Sequence, residues 1–325
     1  MKTKKIIGLL LASVIVLSGC SNSGSVQKDG KYVVASLKDK NLFADDLYSQ
    51  FLSSPTGKNA TFNFVLQKII DTYFPVDKDM EQYADDAVEN IEAQYQSQYG
   101  DEADAQIKSA LAQSGYSDLE SYRKSLIQSL QYATLVRNYV KNDFDKVFED
   151  YYKTANPRYI TLIKVSVADM SKPTAEEKEK LKEVNALLKT DKDFADIASS
   201  YSEDSSKDAK GNLGLVDSKT TNLASTYGEE VEKKAFALKK GQTSGQIKGS
   251  DGYYFLKCTE TSKEKIKEEL KSVDLNSPLL GYNDYIIYDA FETYKLTYDD
   301  KNIQKIIEDF IKDARKTKKE SGGNS

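Results

Sequence analysis

The alternation of apolar and polar positions divides the chain into a helical run, a mixed segment and a second helical run. Tyr32 to Leu37 is a short apolar run that fits a strand, and Asn41 to Leu52 opens a helical pattern. From Phe62 to Phe74 the positions Phe62, Val65, Leu66, Ile69, Ile70 and Tyr73 recur at helical spacing until Pro75 ends them. Ala84, Val88, Ile91 and Tyr95 predict a further amphipathic face. Ser117-Asp118-Leu119-Glu120 has the capping-box form, in which the Ser oxygen and the Glu carboxylate satisfy free amides of a first turn. One apolar stripe then runs from Leu119 through Leu126, Val136, Val140 and Phe144 to Tyr151, predicting a single helix of about nine turns.

Asn156-Pro157 closes that helix, because the residue before a proline is pushed out of the α region. Arg158 to Val167 then alternates Tyr159, Thr161, Ile163 and Val165 against Ile160, Leu162 and Lys164, as a strand does. Thr174-Ala175-Glu176-Glu177 is a second capping box, opening a helix through Val184, and a shorter helix carries Phe194, Ile197 and Tyr201. Leu213 to Val216 is a brief strand, and Thr226 to Glu229 starts a helix ending at Leu238. Ser244 to Lys248 and Tyr253 to Thr259 read as a closing hairpin. The order over 157–261 is β-α-α-β-α-β-β, and the fold class of the chain is α+β. Residues 31–156 before it read as a helical domain. After it, 262–316 is a helical segment whose Ile303, Ile306, Ile307, Phe310 and Ile311 need a partner, and the polar tail 317–325 is expected to be disordered.

Composition narrows the chemistry. The 46 basic and 51 acidic side chains leave a formal net charge of −5, which implies no nucleic-acid partner. There is no histidine, so a Ser-His or Cys-His nucleophile pair and an HExxH zinc site are excluded, and no metal or other cofactor is expected. The N-terminus reads as a targeting leader. Lys2, Lys4 and Lys5 precede the apolar run Ile6 to Leu17, and Leu17-Ser18-Gly19-Cys20 follows in the form of a lipobox. On this reading residues 1–19 are removed, Cys20 carries a diacylglycerol, and 20–30 is a Ser/Gly tether. Cys258, the only other cysteine, sits in a strand pattern as a small buried hydrophobe.

Four words occur in order between Arg158 and Glu260. They are Asp193-Phe194-Ala195 through Tyr201-Ser202-Glu203-Asp204-Ser205, Lys210-Gly211-Asn212-Leu213-Gly214, Ala235-Phe236-Ala237-Leu238, and Gly252-Tyr253-Tyr254-Phe255-Leu256. This run resembles a parvulin-type (PpiC, rotamase) peptidyl-prolyl isomerase domain. With the lipobox and the flanking helices, the whole chain resembles the PrsA-type foldase lipoproteins and, more distantly, SurA-like chaperones. That resemblance implies that the helices on either side of 157–261 pack into one chaperone domain, with the parvulin-like domain inserted.

The resemblance also supplies site residues. Parvulins set two facing histidines around a Cys or Asp, beside an apolar proline pocket. By position, Asp204 takes the Cys or Asp place and Tyr254 that of the closing histidine; the opening histidine falls on Tyr159 or, with the run slid by two, on Thr161. The pocket positions fall on Leu213, Tyr227, Val231 and Phe236, and Asn212 stands where the family usually has an Asp. Because both histidines are missing, the favoured reading is a lipid-anchored chaperone outside the cytoplasmic membrane. It would serve unfolded or partly folded secreted proteins across a cradle between its two domains, with weak or no isomerase activity. The alternative is an active isomerase using Asp204 and tyrosines in place of histidines. A remoter one, a solute-binding lipoprotein, predicts two α/β lobes, which the helical first third opposes. A homodimer stays open.

Overall fold

The computed structural model describes residues 26–38, 40–249 and 251–321, with side chains through Lys316. Cys20, the leader and the end of the tail lie outside the described residues. In chain order the elements are strands β1 (Gln27–Lys28), β2 (Lys31–Leu37) and β3 (Lys40–Phe43), then helices α1 (Ala44–Ser53), α2 (Pro55–Tyr73), α3 (Lys78–Tyr99), α4 (Ala103–Gln113), α5 (Leu119–Asn142) and α6 (Phe144–Ala155). There follow β4 (Arg158–Ser166), α7 (Ala175–Leu187), α8 (Phe194–Tyr201), β5 (Asn212–Val216), α9 (Leu223–Tyr227), α10 (Glu229–Ala237), β6 (Ile247–Lys248) and β7 (Gly252–Glu260). The last are α11 (Lys263–Leu270), α12 (Ile286–Glu292) and α13 (Lys301–Ser321). The chain forms two compact units, one from residues up to 127 and from 291 onward, the other from Gln128 to Ala290. Their borders fall inside α5 and α12.

In the first unit the N-terminal helices and the C-terminal helix share a core. The face of α13 that lacked a partner in the sequence packs on α2, with Ile307 and Ile311 buried. Phe62 of α2 is the hub, its ring 4.9 Å from that of Phe291 and 5.1 Å from that of Phe310. The apolar run Tyr32 to Leu37 forms the middle strand of a three-stranded antiparallel sheet ahead of these helices, ordered β1-β2-β3. α13 continues past Lys316 to Ser321.

The second unit is built on the four-stranded antiparallel sheet β5-β4-β7-β6. Register sets Ile160 opposite Cys258, Leu162 opposite Leu256 and Lys164 opposite Tyr254. One face of the sheet packs Ile160, Leu162, Leu256 and Cys258 against Leu223, Val231 and Ala235 of α9 and α10. The other packs Ile163, Val165 and Phe255 against Val184, Phe194 and Ile197 of α7 and α8. β4 is therefore covered on both faces, which is why Ile160 and Leu162 on one side and Ile163 and Val165 on the other are all apolar. Cys258 is fully buried, as expected, and its burial pushes the thiol pKa up. Tyr151 of α6, also fully buried, donates a 3.1 Å hydrogen bond to Asp217, a 1% exposed carboxylate that also receives the amides of Lys219 and Thr220 at 2.7 Å.

Three local expectations are revised. The long helix is broken at Asp143 (φ −110°, ψ 29°) into α5 and α6. The hydrogen bonds from Asp143 N to Tyr139 O and from Val147 N to Asp143 O carry across the break, so the apolar stripe stays in phase and periodicity could not reveal it. The cap of α5 is Asp118, whose carboxylate accepts the Ser121 amide at 2.7 Å while Ser121 Oγ accepts the Asp118 amide. The charged acceptor displaces the Ser117 and Glu120 box, and Ser117 turns to Asp118 instead. The helix expected from Thr226 to Leu238 is two helices, α9 capped by Asn222 and α10, divided at Gly228. The Thr174 and Glu177 box forms as read, at 3.2 and 2.6 Å.

Phe62→Ala removes the aromatic hub of the first unit and is expected to cost about 3–5 kcal/mol in urea unfolding. Phe64→Ala, on the same helix but 59% exposed, should stay within about 0.5 kcal/mol of the parent.

Candidate functional site

The α9 and α10 face of the four-stranded sheet gathers most of the residues picked out in the sequence. Asp204 caps the 3-10 turn Ser205–Ala209, accepting the Ser206 amide at 2.9 Å and the Ser206 hydroxyl. It also accepts a hydrogen bond from the phenol of Tyr227 at the end of α9. Burial first, and the Asp204 carboxylate second, push that phenol up to about 12. The ring of Tyr227 meets that of Tyr254 edge-on, 5.6 Å between centroids and 66° between planes. Tyr254 is fully buried, Tyr227 is 9% exposed, and the Tyr254 hydroxyl donates to Asp251 at the hairpin turn. Val231 is buried beside them, while Leu213 and Phe236 pack half-buried on the same cluster.

Two glycines make this closeness feasible. A Cβ on Gly249 would lie 2.2 Å from the Tyr254 ring and 2.6 Å from the Tyr227 carbonyl oxygen. Gly211 takes φ +77°, and a Cβ there would meet Leu162 O at 2.3 Å. Phe236 is held from below by Arg158, whose guanidinium stacks 5.6 Å from its ring and donates to the Ala235 and Leu238 carbonyls at the end of α10. Arg158 is 6% exposed, and burial lowers its pKa.

Neither sequence candidate for the residue facing Tyr254 stands there. Tyr159 lies near the start of β4 and its hydroxyl donates to Glu269 of α11. Thr161 pairs with Lys257, on the face of the sheet opposite to Tyr254. The residue in register with Tyr254 is Lys164, whose Nζ lies 2.5 Å from Asp251 Oδ2 and 6.0 Å from the Tyr254 ring centroid. Lys164 and Asp251 were not picked out in the sequence. The signal was the alternation that sets Lys164 on one face with Ile160 and Leu162, a lysine where a third aliphatic residue would be ordinary.

Rotation about an Xaa-Pro bond must cross about 18–20 kcal/mol, and a catalyst lowers this with an apolar bed and groups that favour the twisted amide. Here the proton of each phenol is directed at a carboxylate, Tyr227 to Asp204 and Tyr254 to Asp251. Both rings fill the space between sheet and helix. Among the described residues no group of Cys, Asp and Glu is placed to hold a metal ion.

The model of the rotamase, or PPIC-type PPIASE, domain matches residues 161–260, the stretch that carries this face. The chain is 31% identical to foldase protein PrsA 2 of Listeria innocua, over 97% of this chain and 96% of that one. This chain belongs to the PrsA foldase family. Foldase protein PrsA of Staphylococcus aureus is 27% identical over 99% of this chain and 97% of its own. The crystal structure of PrsA from Streptococcus pneumoniae is 23% identical, with a TM-score of 0.42 over 86% of this chain and 99% of that one. Within this PrsA family member, then, the parvulin-like face has Lys164, Asp251, Tyr254, Tyr227 and Asp204 as its polar groups.

A phenol whose folded pKa lies above its ordinary 10.0 adds stability that is complete below pH 10 and lost as pH rises toward 12. Tyr227→Phe should therefore flatten the fall in urea-unfolding stability between pH 10 and about 12. Tyr132 is also pushed to about 12 by burial, so the difference between parent and variant isolates Tyr227.

Proposed function

We propose that this chain is a lipid-anchored extracytoplasmic foldase that assists unfolded or partly folded secreted proteins mainly by binding them. Its parvulin-like domain contributes weak or no isomerase activity. The observation that carries the reading is a contrast of surfaces. On the parvulin-like face the two tyrosines are buried, with their hydroxyls directed at carboxylates. In the first unit, by contrast, Phe51, Phe64, Tyr73, Tyr83 and Tyr99 stand in solvent. Among the described residues every large apolar side chain of high exposure except Leu275 lies between Val26 and Tyr99. Apolar and aromatic surface of this extent suits transient contact with exposed segments of unfolded chains.

The anchor rests on the Leu17-Ser18-Gly19-Cys20 word and its apolar leader. A diacylglycerol on Cys20 provides two buried chains, enough for stable attachment. Among the described residues no helix is long and apolar enough to cross a membrane. The competing reading, an active isomerase, draws on Asp204, Leu213 and Phe236, which are only half-buried.

Two assays on the chain separate these readings. Suppression of aggregation of an unfolded client should fall several-fold in the Phe51→Ser, Phe64→Ser, Tyr83→Ser variant, and cis-to-trans relaxation of Xaa-Pro peptides should stay near the uncatalysed rate. Relaxation far above that rate, abolished by Asp204→Ala, would establish the isomerase instead; no effect on client aggregation would remove the chaperone.

A further inference from the structure

The sheet β1-β2-β3 has two unlike faces. Val33 and Phe43 oppose each other in register, half-buried, with Asn41 on the same side, where α1 packs. A bulge between Val33 and Ala35 reverses the alternation, and Tyr32, Ala35, Leu37 and Leu42 share the other side. That side is open: Tyr32 is 52% exposed, Val34 at the bulge 49%, Leu37 75% and Leu42 40%. Lysines stand at both ends of the sheet: Lys28 and Lys31 pair on the α1 side, Lys31 Nζ lying 5.8 Å from the Phe43 ring centroid, while Lys40, paired with Leu37, is on the open side beside Lys38. From Val26 to Phe43 four lysines face two aspartates, in a chain of net charge −5. Of the acids that follow, Asp46 is engaged with the Phe43 amide at 3.2 Å.

The position of the sheet along the chain names its occupant. Val26 is the sixth residue after Cys20, a reach of at most about 20 Å. On the lipid-anchored reading, on which this inference rests, the sheet is the first folded element beyond the bilayer. We propose that the open face of β1-β2-β3 docks on an anionic membrane surface. Tyr32, Val34, Leu37 and Leu42 enter the interface, and Lys38 and Lys40 at the β2-β3 turn reach the headgroup phosphates. Aliphatic and tyrosine side chains partition into that layer, and long lysine stems let the ammonium groups stay with the phosphates. Cationic residues near such a surface act together and are screened by salt.

The test uses the chain beginning at Ser21, which keeps every described residue and has no lipid, floated with phosphatidylcholine vesicles with and without phosphatidylglycerol. Binding is expected only with phosphatidylglycerol, and should weaken as salt is raised. Lys38→Gln and Lys40→Gln should each lower the partition coefficient about fivefold, and Leu37→Ser with Leu42→Ser should lower it further. Equal recovery with both vesicle types, or none with either, overturns the docking surface. So does a concentration-dependent dimer in sedimentation that Leu37→Ser with Leu42→Ser abolishes, since a second copy then covers the face. The mass of Cys20 in the full chain is read separately, so failure of the anchor and failure of the surface are told apart.

Discussion

The hydroxyl of Tyr227 against the carboxylate of Asp204 is the contact on which the character of the parvulin-like domain depends. It draws the end of α9 to the loop before β5 and lays the Tyr227 ring across the sheet against Tyr254. Tyr254 in turn reaches Asp251, which also holds Lys164. The result is a chain of paired donors and acceptors on a face that is otherwise aliphatic. A buried phenol without an acceptor would cost about 1–3 kcal/mol, so each carboxylate makes the burial of a tyrosine tolerable. The same pairing takes up the polar groups that a bound amide would need.

Around that contact the domain needs little that is unusual. β4 is covered on both faces, Gly211 and Gly249 let backbone and ring approach closely, and Arg158 closes the end of α10. Tyr151 and Asp217 tie α6 to the loop after β5, so the compact unit is wider than the stretch matched by the rotamase model and begins within α5. The first unit is organised differently, on helix packing about Phe62, and keeps much of its aromatic surface in solvent. A framework shared with isomerases and an open apolar surface thus sit in one chain.

Much of the fold was legible in the residues. The opening β-α-α-β order of the domain, its closing hairpin, the Thr174 cap and the burial of Cys258 all follow from patterns with a single local cause. The break at Asp143 did not show, because it leaves the apolar stripe in phase; the five-residue helix α9, ended at Gly228, was too short to stand apart from α10 by periodicity. At the site, Asp204, Tyr227, Val231 and Tyr254 were found and lie together, but Tyr159 and Thr161 do not join them. Which residue of β4 faces Tyr254 depends on a pairing ninety residues apart in sequence (Lys164 and Tyr254), and neither word alone records that register. Lys164 was visible as a lysine among aliphatic residues; its partner Asp251 was not, since a turn aspartate is ordinary.

The central claim is that clients are held by the open surface of the first unit and not by the parvulin-like face. Hydrogen exchange of the full chain, with and without a saturating unfolded client, tests it most directly. Protection is predicted in α1, α2 and α3, with no change at Asp204, Leu213, Tyr227 to Phe236 or Tyr254. Protection confined to those latter positions, with α1 to α3 unchanged, would contradict it.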